Sequence, residues 1–247
     1  MKIITRCMLT IFLLYLVFPL SSSNASSSRG FLTTYSSQEI KDIDVLFERA
    51  RSGISDINDN EISNSTVVIK NEKSGETKDA KAISTTQLLK IETKEGATKK
   101  SYSTTYFTSG YNGSGHDDGD LWDPSSYGVK AYSTLYWDFY YDNDGATYKD
   151  ITSASGGWTI SDSAYYLRNK TVRLFSYGST PNHTSQTVDK SFNISDSTNT
   201  FSVTAPSEWQ PVVITDKAYR NLGVSQSCTI YDGTDSSSWS FSYEHKI

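Results

Sequence analysis

Between Val129 and Tyr141 the side chains alternate with a period of two, so that successive residues belong to opposite faces of a strand. Val129, Ala131, Leu135, Trp137 and Phe139 fall on one face, and Tyr132, Tyr136 and Tyr140 fall on the other. Large rings on both sides predict a strand covered on both faces. Asp142-Asn143-Asp144-Gly145 has the composition of a hairpin turn and returns the chain into a second strand over Tyr148–Ser153. Further β-type runs follow at Trp158–Ile160, Tyr165–Tyr177, Ser185–Ile194, Thr200–Thr204, Val212–Thr215, Val224–Tyr231 and Trp239–His245. So many short strands, each bounded by turn residues, predict an antiparallel β-sandwich whose solvent faces carry the abundant Ser and Thr.

The chain before Tyr102 is patterned differently, with few aromatics and many charges. Ile40, Ile43, Leu46, Phe47 and Ala50 recur at helical spacing, predicting one amphipathic helix over Gln38–Arg51. Ser36 or Ser37 is the expected cap, Glu39 suits the first turn and Gly53 the end. The acidic run through Asp56, Asp59 and Glu61 reads as a solvated linker. One or two hairpins are expected next: Thr66–Ile69 before the turn at Ser74-Gly75, then Gln87–Thr93 and Ser101–Phe107 around Glu95-Gly96. In the second, Leu89 and Ile91 share a face, Gly96 supplies a positive φ, and Tyr102, Thr104 and Tyr106 answer across the pair. The stretch 109–128, rich in Gly, Ser and Asp, is a long loop.

The N-terminus follows the three-part order of a secretory signal: Lys2 and Arg6, an apolar run from Met8 to Leu20, then small polar residues. The run is shorter than the ~20 residues of a permanent span, so cleavage after Ala25 and release outside the cell are expected. The chain therefore divides into a signal peptide (1–25), a charged pro-region or N-terminal segment (26–101) and a sandwich domain (102–247). Cys7 leaves with the signal, so Cys228 is alone and no disulfide supports the fold. With a net charge of −5 and no basic cluster, nucleic acid is excluded as a partner.

The supply of catalytic groups is poor. His116, His183 and His245 stand in no nucleophile-elbow pattern, and Ser227-Cys228-Thr229 reads as strand. The chemistry richest in ligands is His116-Asp117-Asp118-Gly119-Asp120-Leu121-Trp122-Asp123, where Asp117, Asp118, Asp120 and Asp123 gather hard oxygens on a flexible loop as a calcium site requires. Its spacing departs from the EF-hand, and solvated acidic loops are common. A glycosidase needs two carboxylates across a sugar, for which Asp138 or Glu208 beside Trp137 and Trp209 is the candidate. The tryptophans offer either a stacking platform or plain core. Trp137 and Trp158 read as core, and Trp122, on the acidic loop, is the residue expected to touch a partner.

Thr85-Thr86-Gln87-Leu88-Leu89-Lys90, Ser101-Tyr102-Ser103-Thr104-Thr105-Tyr106-Phe107 and Tyr127-Gly128-Val129-Lys130-Ala131-Tyr132-Ser133-Thr134-Leu135-Tyr136-Trp137, set behind a signal peptide, resemble the large heat-labile bacteriocins of Gram-positive bacteria, the geobacillin type. The resemblance runs from about Ser65 to Ile247 and implies a secreted, non-enzymatic antimicrobial protein acting on the envelope of related bacteria. The alternative is an extracellular carbohydrate- or cell-wall-binding module.

Overall fold

The alternation centred on Trp137 is realised at full length. In the computed structural model the strand runs Val129–Tyr141, with the predicted faces buried on both sides along most of it. The structure describes residues 30–57, 66–71, 73–75, 77–79, 82–109, 128–214, 221–233 and 238–247. In chain order the elements are β1 (Leu32–Ser36), α1 (Ile43–Arg51), β2 (Thr66–Asn71), β3 (Thr77–Asp79), β4 (Ala82–Lys94), β5 (Ala97–Ser109), β6 (Val129–Tyr141), β7 (Thr147–Ile160), β8 (Tyr165–Ser179), β9 (Ser185–Asn193), β10 (Thr200–Thr204), β11 (Val212–Val213), β12 (Asn221–Asp232) and β13 (Ser238–Lys246).

The strands form two antiparallel sheets. The first has the order β1-β4-β5-β6-β7-β10, with β11 also paired to β7; the second has the order β3-β2-β13-β12-β8-β9. The fold is thus the expected mainly β sandwich with one short helix near its beginning. Phe31–Ile247 forms one compact unit, with Tyr102 in the middle of β5. No helix among the described residues is long and apolar enough to cross a membrane.

Turn chemistry sets the hairpins. Lys94 pairs with Ala97, so the β4–β5 turn has two residues, Glu95 at φ 49 and Gly96 at φ 92. Two consecutive positive φ values match the twist of the flanking strands. A Cβ on Gly96 would meet Asn143 Oδ1 at 2.7 Å, so this tip rests against the β6–β7 turn. In that second turn Asp142 Oδ1 accepts from the backbone N–H of Asp144 (3.0 Å) and Ala146 (2.7 Å), and the Tyr148 hydroxyl donates to Oδ2 at 2.9 Å. These bonds, that of Tyr148 foremost, hold the Asp142 carboxyl below its ordinary pKa.

The core lies between the sheets, where Leu135, Trp137, Ala154 and Trp158 of the first meet Leu174, Leu222, Val224 and Phe241 of the second. Several polar groups inside this layer are hydrogen-bonded, within a sheet or across to the other. The Gln226 amide donates to Gly157 O (3.0 Å), and Tyr243 donates to Gln226 Oε1 (2.6 Å). His245 Nε2 lies 3.2 Å from Ser133 Oγ, its ring stacked 3.6 Å from that of Tyr106. A smaller cluster on the outer side of the first sheet packs Leu46, Phe47 and Ala50 of α1 on Phe107, with Phe47 edge-on to Phe107 at 5.4 Å.

Several local expectations are corrected. The helix begins at Ile43, not Gln38, and its cap is Asp42, whose carboxylate accepts from Asp44 N and Val45 N. An aspartate that bonds both first-turn donors outcompetes Ser36 and Ser37, which sit in and just after β1. Leu89 and Ile91 do not alternate simply on one face, because the register slips between Leu88 and Lys90. The runs expected separately at Tyr148–Ser153 and Trp158–Ile160 are one strand, β7, since Gly156 lies where the Tyr132 carbonyl and the Phe201 ring, and Gly157 where the Asn199 carbonyl, approach too closely for a side chain.

Candidate functional site

The stretch that concentrates the predicted site residues, His116, Asp117, Asp118, Asp120, Trp122 and Asp123, lies outside the described residues. Among the described residues no group of three or more His, Cys, Asp or Glu side chains is arranged to hold a metal.

The catalytic candidates are scattered. His183 sits at φ 58 in the exposed turn between β8 and β9, while His245 is in the core, where burial holds its pKa well below 6.5. Cys228 points inward from β12, and burial pushes its thiol up to about 12, the opposite of what a nucleophile needs. The four described tryptophans, Trp137, Trp158, Trp209 and Trp239, are buried, so the stacking-platform reading of them is overturned and the core reading of Trp137 and Trp158 holds. Glu208 lies in the exposed turn between β10 and β11, and the carboxylate opposite Asp138 is Asp150.

That aspartate pair lies on the outer face of the first sheet. Asp138 is buried and fully engaged: Ser101 Oγ donates to Oδ1 at 2.6 Å, Lys99 Nζ lies 2.9 Å from Oδ2, and the Tyr140 hydroxyl donates to Oδ2 at 3.4 Å. Partial burial works against the Lys99 charge, but the Asp138 carboxylate outweighs it and raises the lysine pKa. Burial first, and then the charge of Asp138, push Asp150 up to about 6. The pair shares the outer face of the first sheet, and the Asp138 carboxylate is held by Ser101, Lys99 and Tyr140. Sequence reading missed Asp150, although counting outward from the 142–146 turn puts it opposite Asp138.

The inner face of the first sheet behaves differently along its length. At Trp137 it is sealed by the second sheet, with 1% of the residue exposed. Toward the hairpin tips the same face emerges into solvent. Register places Tyr35, Ile91, Lys100 and Phe139 in one cross-strand row, and Leu32, Thr93, Thr98 and Tyr141 in the next. Phe139 is only partly buried against the core, Tyr141 is 38% exposed, Tyr35 44% and Leu32 69%. Phe139 and Tyr141 lie ring to ring at 4.6 Å, and Lys100 Nζ sits 5.3 Å from the Tyr141 ring centre. An apolar and aromatic strip left open at the end of a sandwich core is the feature most unlike an ordinary solvated surface. Leu32 and Tyr35 reach it through β1, an edge strand absent from the elements expected from the sequence. Comparison with family models, with curated proteins and with solved structures finds no match to this chain.

Proposed function

We propose that this chain is an exported, non-enzymatic antimicrobial protein of the bacteriocin type, and that it meets the envelope of related bacteria through the open end of its first sheet. The observation that carries the reading is the strip of Leu32, Tyr35 and Tyr141, exposed on the face that elsewhere forms the core. Tyrosine rings combine an apolar body with a polar tip, which suits a boundary between water and an apolar phase. Lys100 over Tyr141 adds a cation without making the chain basic. This is a mode of action for a folded surface, since α1 carries Asp44 and Glu48 together with Arg49 and Arg51 and is no cationic lytic helix.

The test is growth inhibition of related Gram-positive strains by the purified mature protein. Inhibition is expected, lost on boiling, and lowered at least tenfold by combining Leu32→Ser, Tyr35→Ser and Tyr141→Ser in a protein whose circular dichroism is unchanged. Failure of the native protein to inhibit any strain, or full activity in the triple variant, rejects the proposal. The competing reading, an extracellular glycan-binding module, is favoured by a different surface.

A further inference from the structure

The outer face of the second sheet is built from hydroxyls. Along β12 the even-numbered residues 222–230 are buried, so Ser225, Ser227, Thr229 and Tyr231 point away from the core. The register sets Ser242 and Ser240 of β13 on one side of this row, with Thr171 and Arg168 of β8 on the other. At one end Tyr231 and Tyr166 are direct partners, their rings stacked 5.1 Å apart and 9° from parallel, and Tyr166 remains 43% exposed. The Arg168 guanidinium lies 5.6 Å from the Tyr166 ring centre. Asn169, at φ 52 where the register shifts, donates Nδ2 to Thr229 Oγ1 at 3.2 Å and fixes that hydroxyl. At the far end Arg173 and Lys246 both pair with Glu244, at 3.1 and 3.0 Å. From Tyr231 to Ser225 the face extends about 20 Å along the strand.

Three physical features define the ligand. Short hydroxyl side chains and paired tyrosines lose little rotamer freedom on binding, so the ordering cost is small. Arg173 and Lys246 share the single carboxylate of Glu244, so together with Arg168 these side chains carry two net positive charges, a weak field for a polyanion on a chain whose net charge is −5. Hydroxyl, amide and guanidinium groups beside an exposed ring match a partner that offers hydroxyls on a flat, partly apolar body.

We infer that the outer face of the second sheet binds a neutral polysaccharide chain, one sugar packing on the Tyr166–Tyr231 stack and its hydroxyls meeting Arg168, Asn169 and the serine row. The inference goes beyond the envelope-docking reading, because it concerns other residues and holds whether or not the protein inhibits growth.

Affinity electrophoresis of the full mature protein in gels containing laminarin, mannan, galactan or, as a polyanion, poly(glycerol phosphate) tests it. At least one neutral polysaccharide should retard the protein, and Tyr166→Ala with Tyr231→Ala should weaken that binding at least tenfold. Ser227→Arg, which plants a long side chain in the hydroxyl row and leaves the tyrosines in place, should do the same and serves if the double variant fails to fold. The Leu32, Tyr35 and Tyr141 triple variant should bind the polysaccharide normally, separating this site from the docking strip. Retardation by poly(glycerol phosphate) alone, no retardation by any polymer, or unchanged binding in Ser227→Arg overturns the inference.

Discussion

Asp138 and Asp150 face each other across β6 and β7, an arrangement that costs stability because like charges directly opposite repel. Lys99, Ser101 and Tyr140 serve Asp138, so burial first and then the Asp138 charge act on Asp150, whose folded pKa of about 6 stands above its ordinary 3.8. The folded state therefore holds a proton that the unfolded state has already lost between about pH 4 and 6. Stability contributed at this site is greatest below that window and declines as pH rises through it. Asp150→Asn should raise stability at pH 7.5 by about 1–2 kcal/mol, after allowance for partial exposure, and by close to nothing at pH 4 in urea titrations. His245 bends the curve the other way. Its buried ring refuses a proton that the unfolded chain accepts below about 6.5, so acid should destabilise the protein there. His245→Phe keeps a ring between Tyr106 and Tyr243 and should flatten this acid limb in melting temperatures measured from pH 4 to 7.

At the scale of elements, residues 31–57 act as a strap along the free edge of β4. The Gln87 side chain holds the strap by accepting from Ile40 N (2.9 Å) and donating to Ile40 O (3.1 Å). Asp56 adds two further bonds, accepting from Leu88 N at 3.0 Å and donating its own N–H to Thr86 O at 2.9 Å. Gln87→Ala should cost about 1–3 kcal/mol and raise amide exchange across 31–57 before the rest of the sandwich. A second fastener is Lys170, buried beneath the 194–199 turn with Nζ on Asp196 O (3.3 Å), Thr198 O (2.5 Å) and Asn199 Oδ1 (3.0 Å). Lys170→Met strands those acceptors and should destabilise the fold by about 2–4 kcal/mol in denaturant melts. Neither device was legible beforehand. Gln87 and Lys170 read as polar positions within strands, and only tertiary contact supplied the backbone groups they satisfy.

At the scale of the molecule, stability rests on a mixed core that has no disulfide among the described residues. Cys228 is buried with its thiol pushed up to about 12, so the mature protein should melt at the same temperature with and without reductant. Its thiol should react with alkylating reagents only as the protein unfolds. The sheets are also joined by directional bonds, Gln226 to Gly157 and Tyr106 to Lys246 O, which fix how one layer lies on the other.

By itself the sequence determined the mainly β character, the extents of β6 and β10, the Glu95-Gly96 turn and the burial of Trp137 and Trp158. Strand alternation and turn chemistry are local, so they are written in neighbouring residues. Only the tertiary structure decided that β2 and β3 join β13 in the second sheet and that β1 closes the edge of β4. It alone decided that one face of the first sheet is sealed at Trp137 and open at Tyr141, because burial depends on how far the opposing sheet reaches, a distance no run of adjacent residues records.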